Sequence, residues 1–138
     1  MKAFIEIEPG SFDKWEYDES TDQFRLDRKL EIPYPASYGY LLDTEAPDGD
    51  ALDVFVVGSA LRQGSWHEVF PLYLITCIDN GVKDDKLVVQ RMTDNSFVPY
   101  TEQVEAIVEF LSKYKKGFEV IDVLPAVEAH KAYEEAKK

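Results

Sequence analysis

The sequence predicts a small, mainly β domain of the α+β class, a barrel or a sandwich with helices packed outside its strands. Short segments with strand-like alternation, separated by turn residues, fill the first two-thirds of the chain. In the last third, apolar residues recur at helical spacing instead. The length of 138 residues is typical of one domain. We therefore expect residues 1–138 to form a single domain.

Six segments have the pattern of β-strands: Phe4–Glu8, Lys14–Tyr17, Phe24–Leu30, Val54–Val57, Glu68–Ile78 and Lys86–Arg91. The first three alternate apolar with charged or polar side chains, which is typical of half-buried strands. Pro33 and Pro35 exclude residues 32–35 from a central strand, because proline cannot donate a hydrogen bond to a neighbouring strand. Turn residues, including Asn80-Gly81, separate the later segments.

Two helices are predicted in the last third of the chain. The first has apolar residues at Val104, Ile107, Val108, Leu111 and Tyr114. Lysines at positions 113, 115 and 116 are expected in its last turn, and Gly117 is expected to end it. A shorter second helix is expected to begin near Pro125 and to continue to Ala136.

The composition favours some classes of partner and disfavours others. A net charge of −12 disfavours a nucleic-acid partner. The first eight residues place acids where a signal peptide needs an apolar core, and no apolar run has the length of a membrane span. The single Cys77, within an apolar strand, fits a reducing compartment. We therefore expect a cytoplasmic protein with no membrane or nucleic-acid partner.

The segment Asp48-Gly49-Asp50-Ala51-Leu52-Asp53 places three carboxylates immediately before an apolar strand. Such a cluster is tolerated if it stays hydrated, is partly protonated or holds a cation, and carboxylates suit hard divalent ions. Asp and Gly are also ordinary turn residues, so this motif alone leaves both interpretations open. An EF-hand is excluded, because Leu52, Asp53 and Ser59 occupy positions where its loop requires an oxygen ligand, Gly and Glu.

A second acidic run, from Asp79 to Lys86, surrounds the Asn80-Gly81 turn. By itself it is best explained as a charged hairpin tip. Together, the two runs supply enough oxygen ligands for more than one divalent ion. Candidate groups for an anionic substrate are Lys14, Arg28, Lys86, Tyr114 and Lys115. Taken singly, most of them are better explained by a surface or packing role.

In their order and spacing, these segments resemble the soluble family I inorganic pyrophosphatases, from about residue 3 to residue 117. The matching segments are 5–7, 14–16, 26–28, 34–40, 48–53, 79–86 and 114–115. Each segment alone is weakly diagnostic, whereas the ordered set is specific. The resemblance implies a five-stranded, OB-like closed barrel with C-terminal helices packed outside. It also implies Mg²⁺-dependent hydrolysis of inorganic diphosphate to two phosphates by a metal-activated water.

Carried over to the matching positions, the resemblance implies that Asp48, Asp53 and Asp84 bind the first metal ion. Asp53 would bridge to a second ion, Asp79 and Asp84 would hold ions that arrive with substrate, and Glu6 would act through metal-bound water. Asp50 would be the general base that deprotonates the attacking water. The implied phosphate-binding residues are Lys14, Arg28, Tyr38, Lys86, Tyr114 and Lys115. Glu16 and Tyr34 would line the cavity and support these groups.

The resemblance further implies several Mg²⁺ ions per site, with Mn²⁺ as a substitute, and a homo-oligomer. The oligomeric state stays open, because Glu109 and Lys113 stand where many bacterial members carry intersubunit histidines. Ala51 and Asn80 also depart from the usual family pattern. Three alternatives remain: a non-catalytic cation-binding module, an OB-type nucleic-acid binder and a hydrolase of nucleotides. Metal-dependent phosphate release from diphosphate would distinguish the enzyme from the first two.

Overall fold

The computed structural model describes residues 1–94 and 101–138. Its strands are β1 (Lys2–Ile7), β2 (Asp13–Asp18), β3 (Gln23–Lys29), β4 (Ser37–Leu41), β5 (Asp53–Val57), β6 (Trp66–Asp79), β7 (Val82–Lys83), β8 (Lys86–Arg91) and β9 (Phe118–Pro125). Its helices are α1 (Thr101–Ser112) and α2 (Ala126–Ala136). Neither helix is long and apolar enough to cross a lipid bilayer.

Five strands form a closed ring of hydrogen-bonded neighbours in the order β1-β4-β5-β8-β6 and back to β1. The pairing of Lys2–Phe4 with Trp66–Glu68 closes this ring. Every pair in the ring is antiparallel except β5–β8, which is parallel. The short β7 and the longer β9 pair with β6 outside the ring. The predicted closed five-stranded, mainly β fold with two C-terminal helices is therefore confirmed.

The hairpin β2–β3 forms a separate two-stranded sheet beside β1. An aromatic cluster attaches it to the ring, with Phe4 of β1 4.7 Å from Tyr17 between ring centroids and 5.4 Å from Tyr40 of β4. Tyr17 also packs on Phe24, with centroids 5.1 Å apart. Such aromatic pairs contribute more than their buried area alone. This packing holds the hairpin, which carries several predicted site residues, at one side of the ring.

The buried apolar residues form two clusters on opposite faces of the central strands. Val54 and Val56 of β5 belong to one cluster, whereas Phe55 and Val57 belong to the other. Consecutive side chains of a strand point to opposite faces, so a strand buried on both faces is apolar throughout. Helix α2 adds its buried alanines to the first cluster, and α1 adds Ile107, Phe110 and Leu111 to the second.

Three strands, namely β4, the two-residue β7 and β9, and one helix end differ from the sequence prediction. β4 was not predicted, and its Gly39 lies so close to β1 that an added Cβ would stand 1.8 Å from the Phe4 carbonyl oxygen. β9 was also not predicted, because a bulge opposite Thr76 and Cys77 interrupts its alternation near Ile121. Helix α1 ends at Ser112, so the three lysines expected in its last turn lie beyond it.

Candidate active site

A cavity of about 710 Å³ opens between the β2–β3 hairpin, the ring and the segment after α1. It brings together predicted site residues from widely separated parts of the chain: Glu6, Lys14, Glu16, Tyr38, Asp48, Asp50, Asp53, Asp79, Asp84, Lys86, Tyr114 and Lys115. Arg28 and Tyr34 are the predicted residues outside this lining. Carboxylates and cationic or hydroxyl groups thus share one solvent-accessible space.

The two acidic runs meet because β5 and β8 are parallel. Asp53, the first residue of β5, is paired in register with Lys86, the first residue of β8. Each acidic run directly precedes its strand, so both runs end at the same edge of the sheet. Parallel pairing therefore brings Asp84, two residues before Lys86, next to Asp53.

Lys86 is the central charge of this part of the cavity. Its side chain is only 4% exposed, and its Nζ lies 2.5 Å from Asp53 Oδ2 and 3.1 Å from Asp84 Oδ1. Burial alone would lower the pKa of Lys86, but the two carboxylates outweigh that effect and raise the pKa above its ordinary value. Lys86 is consequently a fixed cation, and it neutralises part of the acidic cluster.

Glu6 lies deeper in the cavity wall than the loop carboxylates. Burial raises the pKa of Glu6 to about 7, although the backbone N–H of Tyr17, which donates to Glu6 Oε2 at 2.8 Å, opposes this rise. Nearby carboxylates, Asp53 first, raise the pKa further. Glu6 can therefore exchange a proton near neutral pH more readily than an ordinary carboxyl group.

Asp48 and Asp50 occupy the exposed tip of the β4–β5 loop. The backbone N–H of Asp50 donates to Asp48 Oδ1 at 3.0 Å, and the Asp50 carbonyl oxygen accepts from the N–H of Ala46 at 2.6 Å. These contacts make the tip a compact hydrogen-bonded turn. Its two carboxylates face the cavity while remaining accessible to water.

Three basic side chains, those of Lys14, Arg28 and Lys115, lie around Tyr114 or next to it in sequence. Lys115 Nζ lies 2.7 Å from Asp79 Oδ2. The Arg28 guanidinium carbon stands 4.5 Å from the centre of the Tyr114 ring, and Lys14 Nζ stands 5.8 Å from it. Burial alone would lower the pKa of Lys14, but Tyr114 and Asp27, which is 3.0 Å away, raise it overall. Arg28 therefore lies over the Tyr114 ring, outside the cavity lining.

Tyr34 lies behind the cavity wall. Its side chain is 2% exposed, with ring centroids 5.3 Å from Tyr38 and 4.6 Å from Phe110 of α1. It therefore supports Tyr38 by packing. Sequence reasoning did not identify other lining residues, which include Tyr17, Glu19, Tyr40, Asp43, Thr44 and Lys138. For Tyr40 a signal existed, because it is two residues from Tyr38 in a strand and shares its face.

The donor set suits a hydrated divalent cation. Among residues 1–94 and 101–138, no three Asp, Glu, His or Cys side chains are grouped closely enough to hold a bare ion. Instead, carboxylates line an open cavity, and Lys86 and Lys115 are paired with Asp53, Asp84 and Asp79. Mg²⁺ keeps several water ligands and uses few carboxylates per ion, so a dispersed set of this kind fits it.

Comparison with known proteins identifies relatives over nearly the whole chain. The family model described as Pyrophosphatase: Inorganic pyrophosphatase matches residues 3–138. The inorganic pyrophosphatase of Halalkalibacterium halodurans is 38% identical over 125 residues, covering 83% of this chain and 77% of that protein. The inorganic pyrophosphatase of Saccharolobus solfataricus is 35% identical over 128 residues, covering 84% and 74%.

Solved structures show the same similarity. The inorganic pyrophosphatase from Thermus thermophilus superposes with a TM-score of 0.88 at 27% identity, covering 99% of this chain and 88% of that chain. The inorganic pyrophosphatase from Neisseria gonorrhoeae superposes with a TM-score of 0.86 at 28% identity, with the same two coverages.

Proposed function

This chain belongs to the inorganic pyrophosphatase family, and we propose that it hydrolyses inorganic diphosphate to two phosphates. One observation carries the proposal: a single cavity is lined both by the acidic residues of two loops and by Lys14, Lys86 and Lys115. Diphosphate is strongly anionic, so a site for it needs positive charge. Phosphoryl transfer depends mainly on positioning and on neutralising charge, which suits such a mixed lining.

The metal requirement is also a proposal. Asp48, Asp53, Asp79 and Asp84 would hold several Mg²⁺ ions, with Glu6 acting through their water ligands and with Mn²⁺ as a substitute. When bound, Mg²⁺ lowers the pKa of a water molecule and neutralises phosphate charge. The β5–β8 pairing supports this proposal, because it brings the two acidic runs to one edge of the sheet.

Asp50 is the proposed general base. Its carboxylate is exposed at the loop tip and faces the cavity. It can therefore accept the proton of an attacking water at a carboxylate oxygen. The turn around it, closed by hydrogen bonds of the Asp50 backbone with Asp48 and Ala46, limits the movement of the backbone that carries this carboxylate.

The proposed phosphate-binding residues, all of which except Arg28 line the cavity, are Lys14, Arg28, Tyr38, Lys86, Tyr114 and Lys115. Lysines neutralise phosphate charge, and tyrosine hydroxyls can donate hydrogen bonds to phosphate oxygens. Glu16 lines the same space, and Tyr34 supports Tyr38 from behind. Arg28 lies over Tyr114, and its Nη2 donates to the Tyr114 carbonyl oxygen at 3.4 Å. Arg28 would therefore also hold Tyr114 in place.

Phosphate release from inorganic diphosphate, with no metal, with Mg²⁺ and with Mn²⁺, tests the proposal. A nucleoside triphosphate serves as the alternative substrate. Asp50→Asn should retain folding but lose most turnover, by a factor on the order of 100 or more. Asp122→Asn is the matched control, because Asp122 is exposed on β9, outside the cavity lining. Absence of metal-dependent release from diphosphate, or near-normal turnover by Asp50→Asn, would contradict the respective assignments.

The proposed homo-oligomer and cytoplasmic location remain predictions. Glu109 and Lys113, which occupy the positions expected for intersubunit histidines, form an exposed ion pair of 3.0 Å at the C-terminal end of α1. An exposed pair of this type contributes little to stability by itself. Analytical ultracentrifugation over a range of protein concentrations would determine the oligomeric state. A concentration-independent monomer would contradict the prediction.

A further inference from the structure

Thr44 is one of very few buried polar side chains in the described part of the chain, with 3% exposure. It stands at the neck of the β4–β5 loop, which carries Asp48 and Asp50 at its tip. Its Oγ1 donates a hydrogen bond to the carbonyl oxygen of Leu41 at 2.7 Å. The same oxygen accepts a hydrogen bond from the backbone N–H of Leu52 at 3.0 Å. One hydroxyl therefore connects the end of β4 with the residue before β5.

Water has little access to the backbone groups that bond to the Thr44 hydroxyl. Leu41 is fully buried and Leu52 is 6% exposed, so water has little access to replace the Thr44 hydroxyl. A buried backbone group that loses its partner is costly, which favours keeping this connection intact. Leu41 N–H also donates to the Leu52 carbonyl oxygen at 2.9 Å. The neck is therefore closed by two hydrogen bonds between its two sides. One of them depends on the Thr44 hydroxyl, which the Leu41 carbonyl oxygen holds in place.

A second set of contacts holds the neck from outside. The Glu45 N–H donates to the Ala136 carbonyl oxygen at 2.8 Å, and the Lys138 N–H donates to the Asp43 carbonyl oxygen at 3.0 Å. Thr44 itself pairs with Lys137 in an antiparallel bridge. The C-terminal residues 136–138 thus hold the backbone on both sides of Thr44. The hydroxyl is held by its own hydrogen bonds with Leu41 and Leu52.

The loop tip is hydrogen-bonded mainly to itself. Gly49 N–H donates to the Ala46 carbonyl oxygen at 2.9 Å, and the Asp50 contacts described above close the same turn. A compact turn moves as a unit when its neck changes. Consequently the neck geometry determines the position of Asp48 and Asp50 relative to Asp53, which belongs to the ring.

We propose that Thr44 is a positioning residue, whose buried hydroxyl sets the distance between the loop-tip carboxylates and Asp53. This inference rests on the proposed function for its effect on turnover, but its effect on ion binding does not depend on turnover. Displacements of about 1 Å at a catalytic group can reduce a rate on the order of 100-fold. Thr44 thus acts on the reaction through Asp48 and Asp50.

The test compares Thr44→Val with Thr44→Ser. Valine keeps the shape of threonine but removes both hydrogen bonds, whereas serine keeps the hydroxyl and loses only a methyl group. We expect Thr44→Val to reduce kcat about 10- to 100-fold, with a smaller change in KM. It should also raise the half-saturating Mg²⁺ concentration and weaken Mn²⁺ binding, measured by electron paramagnetic resonance without substrate. Thr44→Ser should keep kcat and metal binding close to the wild-type values even if its Tm falls.

Thr76→Val is the matched control, because it removes a hydroxyl that bonds to the Asp122 carbonyl oxygen at 3.3 Å, outside the cavity lining. All assays are run well below the Tm of each variant. If Thr44→Val does not fold, Thr44→Cys replaces it, since a thiol is a weaker hydrogen-bonding group of similar size. The kcat and Mn²⁺ affinity of Thr44→Cys should lie between those of the serine variant and those expected for the valine variant.

Three results would overturn the inference. A folded Thr44→Val or Thr44→Cys with wild-type kcat and Mn²⁺ affinity would show that the hydroxyl does not position the carboxylates. A serine variant as impaired as the valine variant would assign the effect to the methyl group. If Thr76→Val lowered kcat and Mn²⁺ affinity as much as Thr44→Val, the loss would follow from removing any such hydroxyl and not from the position of Thr44. Absence of diphosphate hydrolysis by the wild-type protein would instead contradict the proposed function, while Mn²⁺ binding would still decide the role of Thr44.

Discussion

Replacing Lys86 by methionine tests the electrostatic organisation of the cavity most directly. Methionine keeps an unbranched apolar side chain but removes the ammonium group that lies between Asp53 and Asp84. Removing one partner of a buried ion pair costs about 3–5 kcal/mol, because the remaining charge is left uncompensated. The two carboxylate side chains retain 29% and 22% exposure, so water replaces part of the lost interaction. We therefore expect a loss of about 2–3 kcal/mol in the free energy of unfolding.

The assay is urea and thermal unfolding in EDTA and again with Mg²⁺. In EDTA, a loss of this size corresponds to a fall in Tm of about 10 °C for a chain of this length. With Mg²⁺ at 100 times its dissociation constant, an ion bound only by the folded state adds about 2.7 kcal/mol. The variant should bind the ion more tightly than the wild type, because no ammonium group competes for the carboxylates. Mg²⁺ should therefore narrow the stability difference.

The pH dependence has a defined sign. Burial raises the pKa of Asp53 and the charge of Lys86 opposes that rise, so the pKa of Asp53 should be higher in the folded variant than in the wild-type protein. A carboxyl group with a raised folded-state pKa destabilises the fold above that pKa and stops doing so once it is protonated. The stability deficit of Lys86→Met in EDTA should therefore be largest at neutral pH and smaller near pH 4.

Lys83→Met is the control, because Lys83 is 64% exposed and makes one ion pair of 3.5 Å with Asp85. Exposed pairs contribute about 0–1 kcal/mol, so this variant should remain close to wild type. The reasoning fails if Lys86→Met in EDTA is no less stable than Lys83→Met. It also fails if Mg²⁺ stabilises the variant less than it stabilises the wild type.

Three further predictions concern packing, substrate binding and thiol accessibility. Gly39→Ala should lower the free energy of unfolding in urea by more than about 3 kcal/mol, because the added Cβ would clash with the Phe4 carbonyl oxygen. Near-normal stability would contradict the observed close approach of β1 and β4. Lys115→Met should lower kcat/KM for diphosphate on the order of 10- to 100-fold, whereas the exposed Lys116→Met should not, and equal effects would refute the assignment. Burial raises the pKa of Cys77 to about 12, so an aromatic disulfide at pH 8 should modify it only after unfolding; rapid labelling of the folded protein would contradict this.

Sequence patterns predicted those strands and helices whose apolar residues recur with the period of the element that they form. β5 and β8 are apolar over residues 54–57 and 87–89, because these parts pack on both faces of the sheet. Helix α2 begins after Pro125, as expected. β9 escaped prediction because its pairing with β6 shifts register near Ile121, which breaks the two-residue period on which strand recognition depends. Local periodicity therefore fails where a strand follows its partner through a bulge.

For the candidate site, the motifs indicated which residues to group, but not how they interact. The acidic loops and Lys86 were chosen from their sequence context, whereas the contacts of Lys86 with two carboxylates depend on tertiary pairing. Thr44 has no sequence signal of a role, because a threonine between two strands is an ordinary residue. Its importance is evident only from its burial and from the two backbone groups it joins.

The single parallel pair in the ring explains why acidic runs about thirty residues apart can form one site. β5 is five residues long, so its first and last Cα atoms lie roughly 13 Å apart at about 3.3 Å per step. Antiparallel pairing of β5 with β8 would place the two acidic runs at opposite ends of that length, too far to share an ion. Parallel pairing instead puts Asp53 beside Lys86. The strand direction, more than the motifs themselves, therefore creates the common cavity edge on which the proposed chemistry depends.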